Sequence, residues 1–315
     1  MIKKTATKVI SIFGFMVAKK FWFGVFLGIL GVVLFSSKAV MVKLAYKYNV
    51  DAITMLLLRM LFSFPFYVVI AYLYRNENQD IKNTKKDYYW VVFFGIVGYY
   101  LASFFDFVGL SYIKASLERI ILFVYPTIVI LLNRLFFKQP ITKVQTLAIF
   151  LSYLGIVIAF SDEVDVSGNN VYLGGLFILL SAITYASYLV GSGWLIPKFG
   201  VVKFTAYAML VSCFCVFIHF SIISETDLFT LPWQVYLLGF LIAIFATVIP
   251  SFLVSASIKI ISSSNFAIVA GIGPISTIVL ASFFLNERLT LVQFLGALFV
   301  IIGIVITSIK KAKKQ

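Results

Sequence analysis

Charge and reactive side chains are what this sequence has least of. Only 12% of its 315 residues are charged, one is a histidine (His219), and two are cysteines, Cys213 and Cys215. A single histidine excludes multi-histidine metal chemistry, and neither an HExxH nor a GxSxG pattern occurs. No GxxxxGK[ST] loop is present, so ATP is not a direct energy source. The cysteines lie two residues apart inside one apolar run. That gives neither a disulfide framework nor metal-ligand spacing, and they read as small core residues. No metal and no cofactor is expected.

What is abundant is apolar. The chain is 62% hydrophobic with 34 Phe, and apolar runs of 18 or more residues recur along it. Each can cross about 30 Å of hydrocarbon. The reading is an all-α polytopic membrane protein. Its net charge of +14 would suggest nucleic acid if it formed one surface. The basic residues instead sit in short loops and at the termini, as membrane orientation demands. The partners expected are a lipid bilayer and a small-molecule solute, with no nucleic acid.

Ten transmembrane spans follow from the pattern: 21–45, 52–74, 88–111, 115–137, 142–161, 171–195, 201–223, 233–258, 263–285 and 290–309. Polar or Gly/Pro breaks separate several of them, at 75–87, 161–170, 197–200 and 224–232. Spans 3 and 4, and spans 8 and 9, meet in tight turns. Residues 1–20 carry five lysines around a ten-residue apolar stretch. That is too short to span and lacks a cleavage site, so it reads as a cytoplasmic interfacial helix. Residues 310–315 form a basic cytoplasmic tail. With both termini cytoplasmic, 19 of the 26 basic residues fall inside and four outside, which fixes the expected orientation. The expected location is the plasma (inner) membrane.

The chain is duplicated. At an offset of 148, 14 of the 46 residues from Ala115 to Phe160 match those from Ser263 to Ser308, among them Pro126 with Pro274 and Gly155 with Gly303. A looser offset of 150 sets Lys38 on Tyr188. Each half, 21–165 and 166–309, holds five spans, and an odd number inverts the second half in the membrane. Two inverted five-helix repeats are the mark of alternating-access transporters, whose site lies near the midplane between the halves. A larger structural bundle is the plainer alternative.

Pro126 removes a hydrogen bond to the Leu122 carbonyl, and Pro274 one to Ala270. Gly271 and Gly273 loosen the second site further. These four residues are the candidate hinge; a packing kink is the bland reading. Intramembrane charge supplies the other constellation: Lys38, Arg59, Asp106, Glu118 and Arg119. At ~1.5 Å per residue all five fall within roughly 6–10 Å of the outer boundary, so they can share a layer, and mutual pairing is expected. Their repeat mates are uncharged: Tyr188 for Lys38, Val254 for Asp106, Phe266 for Glu118 and Ala267 for Arg119. Either the cluster is an outer gate, or Lys38 or Arg59 binds an anionic group while Asp106 or Glu118 exchanges a proton. The surplus positive charge favours a zwitterionic or anionic solute. Tyr99 and Tyr188, with Tyr100, Phe104, Phe105 and Tyr185, give spans 3 and 6 aromatic faces for substrate or simple packing. His219 reads as a passive interfacial residue.

FFLNERLT (283–290), with Gln293, Gly296 and Gly303, resembles the EamA-type members of the drug/metabolite transporter superfamily, and GIGPISTIVLASFFLNERLT (271–290) is its most specific stretch. The first half departs from that pattern, with Gln139 in LFFKQPIT where the family has glutamate. The resemblance spans about residues 20–309. It implies ten spans in two inverted halves and a plasma-membrane transporter of small organic solutes or metabolites, often an exporter. The departure at Gln139 argues against a functional role for that glutamate and for a helix-end structural one. A receptor, a scaffold or an intramembrane enzyme is the alternative from another class.

Overall fold

The computed structural model describes residues 2–75, 83–138, 140–167 and 170–312, and no strand occurs among them. Eight helical stretches are long and apolar enough to cross a bilayer by length and composition, and Ile272–Leu285 and Leu291–Ile302 are shorter apolar helices at the places of spans 9 and 10. The polytopic, all-helical reading therefore stands. Most boundaries fall within a few residues of those expected, because Gly, Pro, Asp and Thr punctuate the apolar runs. Asp51 caps span 2, its carboxylate accepting from the amides of Ile53 and Thr54. Thr84 and Asp87 form a reciprocal capping box at span 3.

Several expectations are corrected. The segment before span 1 is not a separate helix; Ile2–Tyr46 is continuous. The break expected at 161–170 is helical as far as Ser167, since no Gly or Pro interrupts it before Gly168. Span 6 runs through Pro197 to Phe199 and stops at Gly200, whose φ of 83° only glycine adopts freely. The polar loop after span 2 lies partly outside the described residues, as does Gln139.

The halves pack as exchangeable units. Span 1 lies on spans 8 and 9, and span 6 on spans 3 and 4, while span 2 pairs with span 7 and span 5 with span 10. Buried and accessible positions along 31–40 recur, position for position, along 181–190. Phe35 and its mate Tyr185 even stack on each other, 6.3 Å apart at 17°, so an approximate two-fold passes beside that pair. Spans 5 and 10 cross where Gly155 and Gly296 meet, and a methyl on either would run into the other's carbonyl. Small residues at a crossing are what lets helices in lipid approach closely.

Local irregularities repeat as well. Span 3 contains a π-helical turn at Gly95–Leu101, and span 8 one at Ile244–Val248, which the offset of 148 superimposes. Span 4 breaks at Phe123–Val124 before Pro126, and span 9 at Ala270–Gly271 before Pro274. Lys138 and Asn286 end the two helices in the left-handed region at φ 53° and 56°. Thr142 with Gln145, and Thr290 with Gln293, then exchange the same reciprocal caps.

Candidate functional site

The five intramembrane charges converge as expected but do not all pair. Lys38 on span 1 and Asp106 on span 3 form a buried ion pair at 2.5 Å. Asp106 is also within electrostatic reach of Glu118, Arg119 and Arg59. Among the described residues, that is the single ion pair in the layer. Glu118 is fully buried, and neither of its oxygens has a hydrogen-bond partner there. The expected mutual pairing is only partly met: Glu118 and Arg119 are adjacent on one helix and point in different directions. Arg119 turns away from Glu118 towards span 1, and donates from Nη2 to Ser36 Oγ at 2.9 Å.

Hydroxyls, not carboxylates, hold the arginines. Arg59, 1% exposed, donates from Nε to Thr247 Oγ1 at 2.7 Å and from Nη1 to Ser103 Oγ at 2.9 Å. Its guanidinium also lies 5.6 Å from the Phe107 ring centre. Nη2 of Arg59, Nε of Arg119 and Oδ1 of Asp106 are buried without partners. Buried orphan donors and acceptors are uncommon and costly, and here both kinds crowd one layer. Ser36, Ser103 and Thr247 carry no sequence signal of this task. They read as ordinary small residues until their helices are placed.

Thr247 belongs to the second half and sits in the π-helical turn of span 8, its own hydroxyl donating to the Ile242 carbonyl. Arg59 therefore bridges the halves at an irregular turn. Arg119 does so too: a methyl at Gly273 would lie 3.1 Å from its Nη2 and 3.3 Å from its Nε. Gly273 is thus the space a guanidinium occupies. Gly271 has a right-handed φ of −54°, and Pro126 and Pro274 are buried just past the two breaks. The Ala270 carbonyl that Pro274 was expected to leave free accepts from the Gly273 amide at 2.8 Å instead.

Beneath the charged layer lies an aromatic cluster. Phe35 faces Lys38 Nζ at 5.1 Å and the Arg119 guanidinium at 5.9 Å. From Phe35 the rings continue through Tyr185 to Tyr125 and Tyr188. Tyr188 meets Tyr99 at 4.6 Å, edge to face. Tyr188 fits into the π-helical turn of span 3, where a methyl at Gly98 would overlap its Cβ. Its hydroxyl is a further buried group without a partner. Phe35 and Tyr125 were absent from the expected aromatic faces. His219, expected to be passive, shares a 2.9 Å hydrogen bond between Nδ1 and Tyr100 Oη.

Ties between the halves lie at both ends. On the face that charge assigns to the outside, Glu287 accepts from the amides of Ala115 and Ser116, at 3.1 and 3.0 Å, and from Ser116 Oγ. It thereby caps span 4 from the other half. On the opposite face, Lys198 binds Asp87 at 2.6 Å. A cavity of 560 Å³ opens there among spans 1, 6, 8 and 9, with Ser192, Gly193, Pro197, Lys259 and Ser263 in its wall.

Comparison with known proteins agrees with this architecture. The profile of the EamA-like transporter family matches residues 22–161 and 172–309, one match to each half. The uncharacterized transporter YcbK of Bacillus subtilis (strain 168) is 32% identical over 295 residues, covering 91% of this chain and 94% of that protein. The uncharacterized transporter sll1319 of Synechocystis sp. (strain ATCC 27184 / PCC 6803 / Kazusa) is 26% identical over 266 residues, covering 82% and 79%. One crystal structure superposes with a TM-score of 0.66 over 93% of this chain and 98% of its own, at 13% identity. That likeness concerns the fold.

Proposed function

Because the chain belongs to the EamA-like transporter family and is a multi-pass membrane transporter, we propose that it is a secondary transporter of a small zwitterionic or anionic organic solute. It works as an exporter in the plasma membrane with both termini cytoplasmic. The repeats 21–165 and 166–309 rock about the site between them, with Pro126, Gly271, Gly273 and Pro274 as hinges. Arg59 and Arg119 receive the anionic group; Lys38, Asp106 and Glu118 complete the polar layer and offer a route for a coupling proton. Tyr99 and Tyr188 face the rest of the solute.

One observation carries this reading. Arg59 is a wholly buried guanidinium anchored to both halves by neutral hydroxyls, with Nη2 left over. A structural ion-pair network would have supplied it with a carboxylate, because an uncompensated charge at membrane depth costs several kcal/mol. A group that binds a transported anion has to be left incompletely satisfied.

Metabolite profiles of cells with and without the protein identify the solute. Its flux is then measured in proteoliposomes under imposed pH gradients. Lys38→Met and Asp106→Asn are expected to abolish most of the flux, with a pH gradient driving it in the parent protein. Unchanged flux in both variants reduces the layer to a gate.

A further inference from the structure

A second cavity belongs to none of these elements. It is a cleft of 330 Å³ on the flank of the bundle between spans 3, 4 and 6, walled by Phe94, Leu132, Phe136, Ser187, Gly191 and Trp194. Phe136 is 69% exposed, so the cleft opens sideways, where a membrane protein meets hydrocarbon. Walls left facing a void lose their dispersion contacts, and the occupant on hand is a lipid tail. The mouth is basic. The start of span 3 and the ends of spans 4 and 6 lie on one face by span parity, and they carry Lys85, Lys86, Arg134, Lys138 and Lys198. Among the described residues of these helix ends the acid is Asp87, and Lys198 and Thr84 take it up. Lys198 Nζ stands 4.7 Å from the centre of the Trp194 ring that lines the cleft, so cation and apolar wall adjoin.

We propose that this cleft binds one acyl chain of an anionic phospholipid, its headgroup held by the basic ends of spans 3, 4 and 6. Basic pockets between helices at the cytoplasmic surface suit such headgroups. The opposite side of the same stretch of span 6, at Ser192, Gly193 and Pro197, lines the 560 Å³ cavity. A bound chain therefore supports the thin wall between lipid and vestibule, and lipid composition sets how readily that wall moves. The inference rests on membrane embedding and on the orientation proposed above, and is independent of the solute.

Quenching of tryptophan fluorescence tests it. In the full chain carrying Trp22→Phe and Trp233→Phe, Trp90 and Trp194 remain, and both line the cleft. Phosphatidylglycerol brominated on its acyl chains is expected to quench them at a roughly tenfold lower mole fraction than brominated phosphatidylcholine. Adding Arg134→Gln and Lys138→Asn, the latter matching the repeat mate Asn286, brings the two lipids to one midpoint. Ser187→Phe fills the cleft and removes the saturable component for both. Equal midpoints in the parent overturn the proposal, as does an unchanged midpoint in the Arg134/Lys138 variant. Quenching by 1-bromododecane at a lower mole fraction than the brominated phosphatidylglycerol also overturns it, since the cleft would then prefer an apolar molecule without a headgroup.

Discussion

Lys138 and Asn286 end corresponding helices at φ 53° and 56°, whereas Lys38 and Tyr188 stand at corresponding positions with nothing chemical in common. The same division runs through the molecule. Between the halves the π-helical turns, the breaks before Pro126 and Pro274, the left-handed caps and the Thr/Gln capping pairs are shared. Buried charge is not shared: all five charged residues of the layer belong to the first half, and four of their mates are a tyrosine, a valine, a phenylalanine and an alanine. The second half answers with Thr247, which receives Arg59, and with Gly273, which makes room for Arg119. Backbone geometry sets how the halves can move and must match for an inverted pair to interconvert. Side chains at the seam select what passes and are free to diverge.

Removing one partner of the Lys38–Asp106 pair strikes that asymmetry hardest. Asp106→Asn leaves a buried ammonium uncompensated and is expected to cost about 3–5 kcal/mol. It is read as a loss of thermal stability of the purified protein. The double variant Lys38→Met/Asp106→Leu removes both charges and is expected to recover most of that stability without recovering flux. Should the double variant transport solute, the charged layer is a structural inheritance of one half and the comparison collapses.

The helical spans were legible in the sequence, because hydropathy reports apolar segments directly. Who pairs with whom was not. Depth places Glu118 and Arg119 in one layer, but their directions around the helix send them to different neighbours. The π-helical turns had no signature either: GIVGYYL and IFATV look like any apolar helix, and the extra residue per turn shows only in the hydrogen bonds. The Thr/Gln caps stand three residues apart and so follow from local sequence. The cap that Glu287 places on span 4 does not, since it joins residues 171 apart.

Positions 98 and 246 sharpen the comparison at a single methyl. Gly98 lies against Tyr188 Cβ, yet its mate is Ala246, buried and already carrying the methyl. Gly98→Ala is expected to destabilise by about 1–3 kcal/mol through overpacking and to weaken solute binding by displacing Tyr188. Ala246→Gly should cost no more than about 1 kcal/mol. Positions 125 and 273 behave alike. Tyr125 is a large aromatic, and its mate Gly273 takes a methyl only if Arg119 or Val32 gives by a few tenths of an ångström. Gly273→Ala is therefore expected to change KM for the solute several-fold while stability falls by about 1 kcal/mol. Equal effects at the members of either pair would show the repeat to be symmetric in packing as well as in path.

The smallest expected effect falls at Glu287, where the second half keeps a charge that the first half lacks. Glu287 satisfies two amides and a hydroxyl at the start of span 4, while the matched position is Gln139. Glu287→Ala uncaps a helix that begins in a tight turn and is expected to cost about 1–2 kcal/mol. Glu287→Gln keeps an acceptor oxygen and forfeits the charge assistance, which roughly doubles the strength of such a bond, so it should cost about half as much. Neither should alter which solute is carried, because Glu287 bonds Ala115 and Ser116 rather than any of the five charges. A change of solute preference with Glu287→Gln would move this carboxylate from the shared scaffold to the selective seam. Selection by charge would then no longer be confined to the first half.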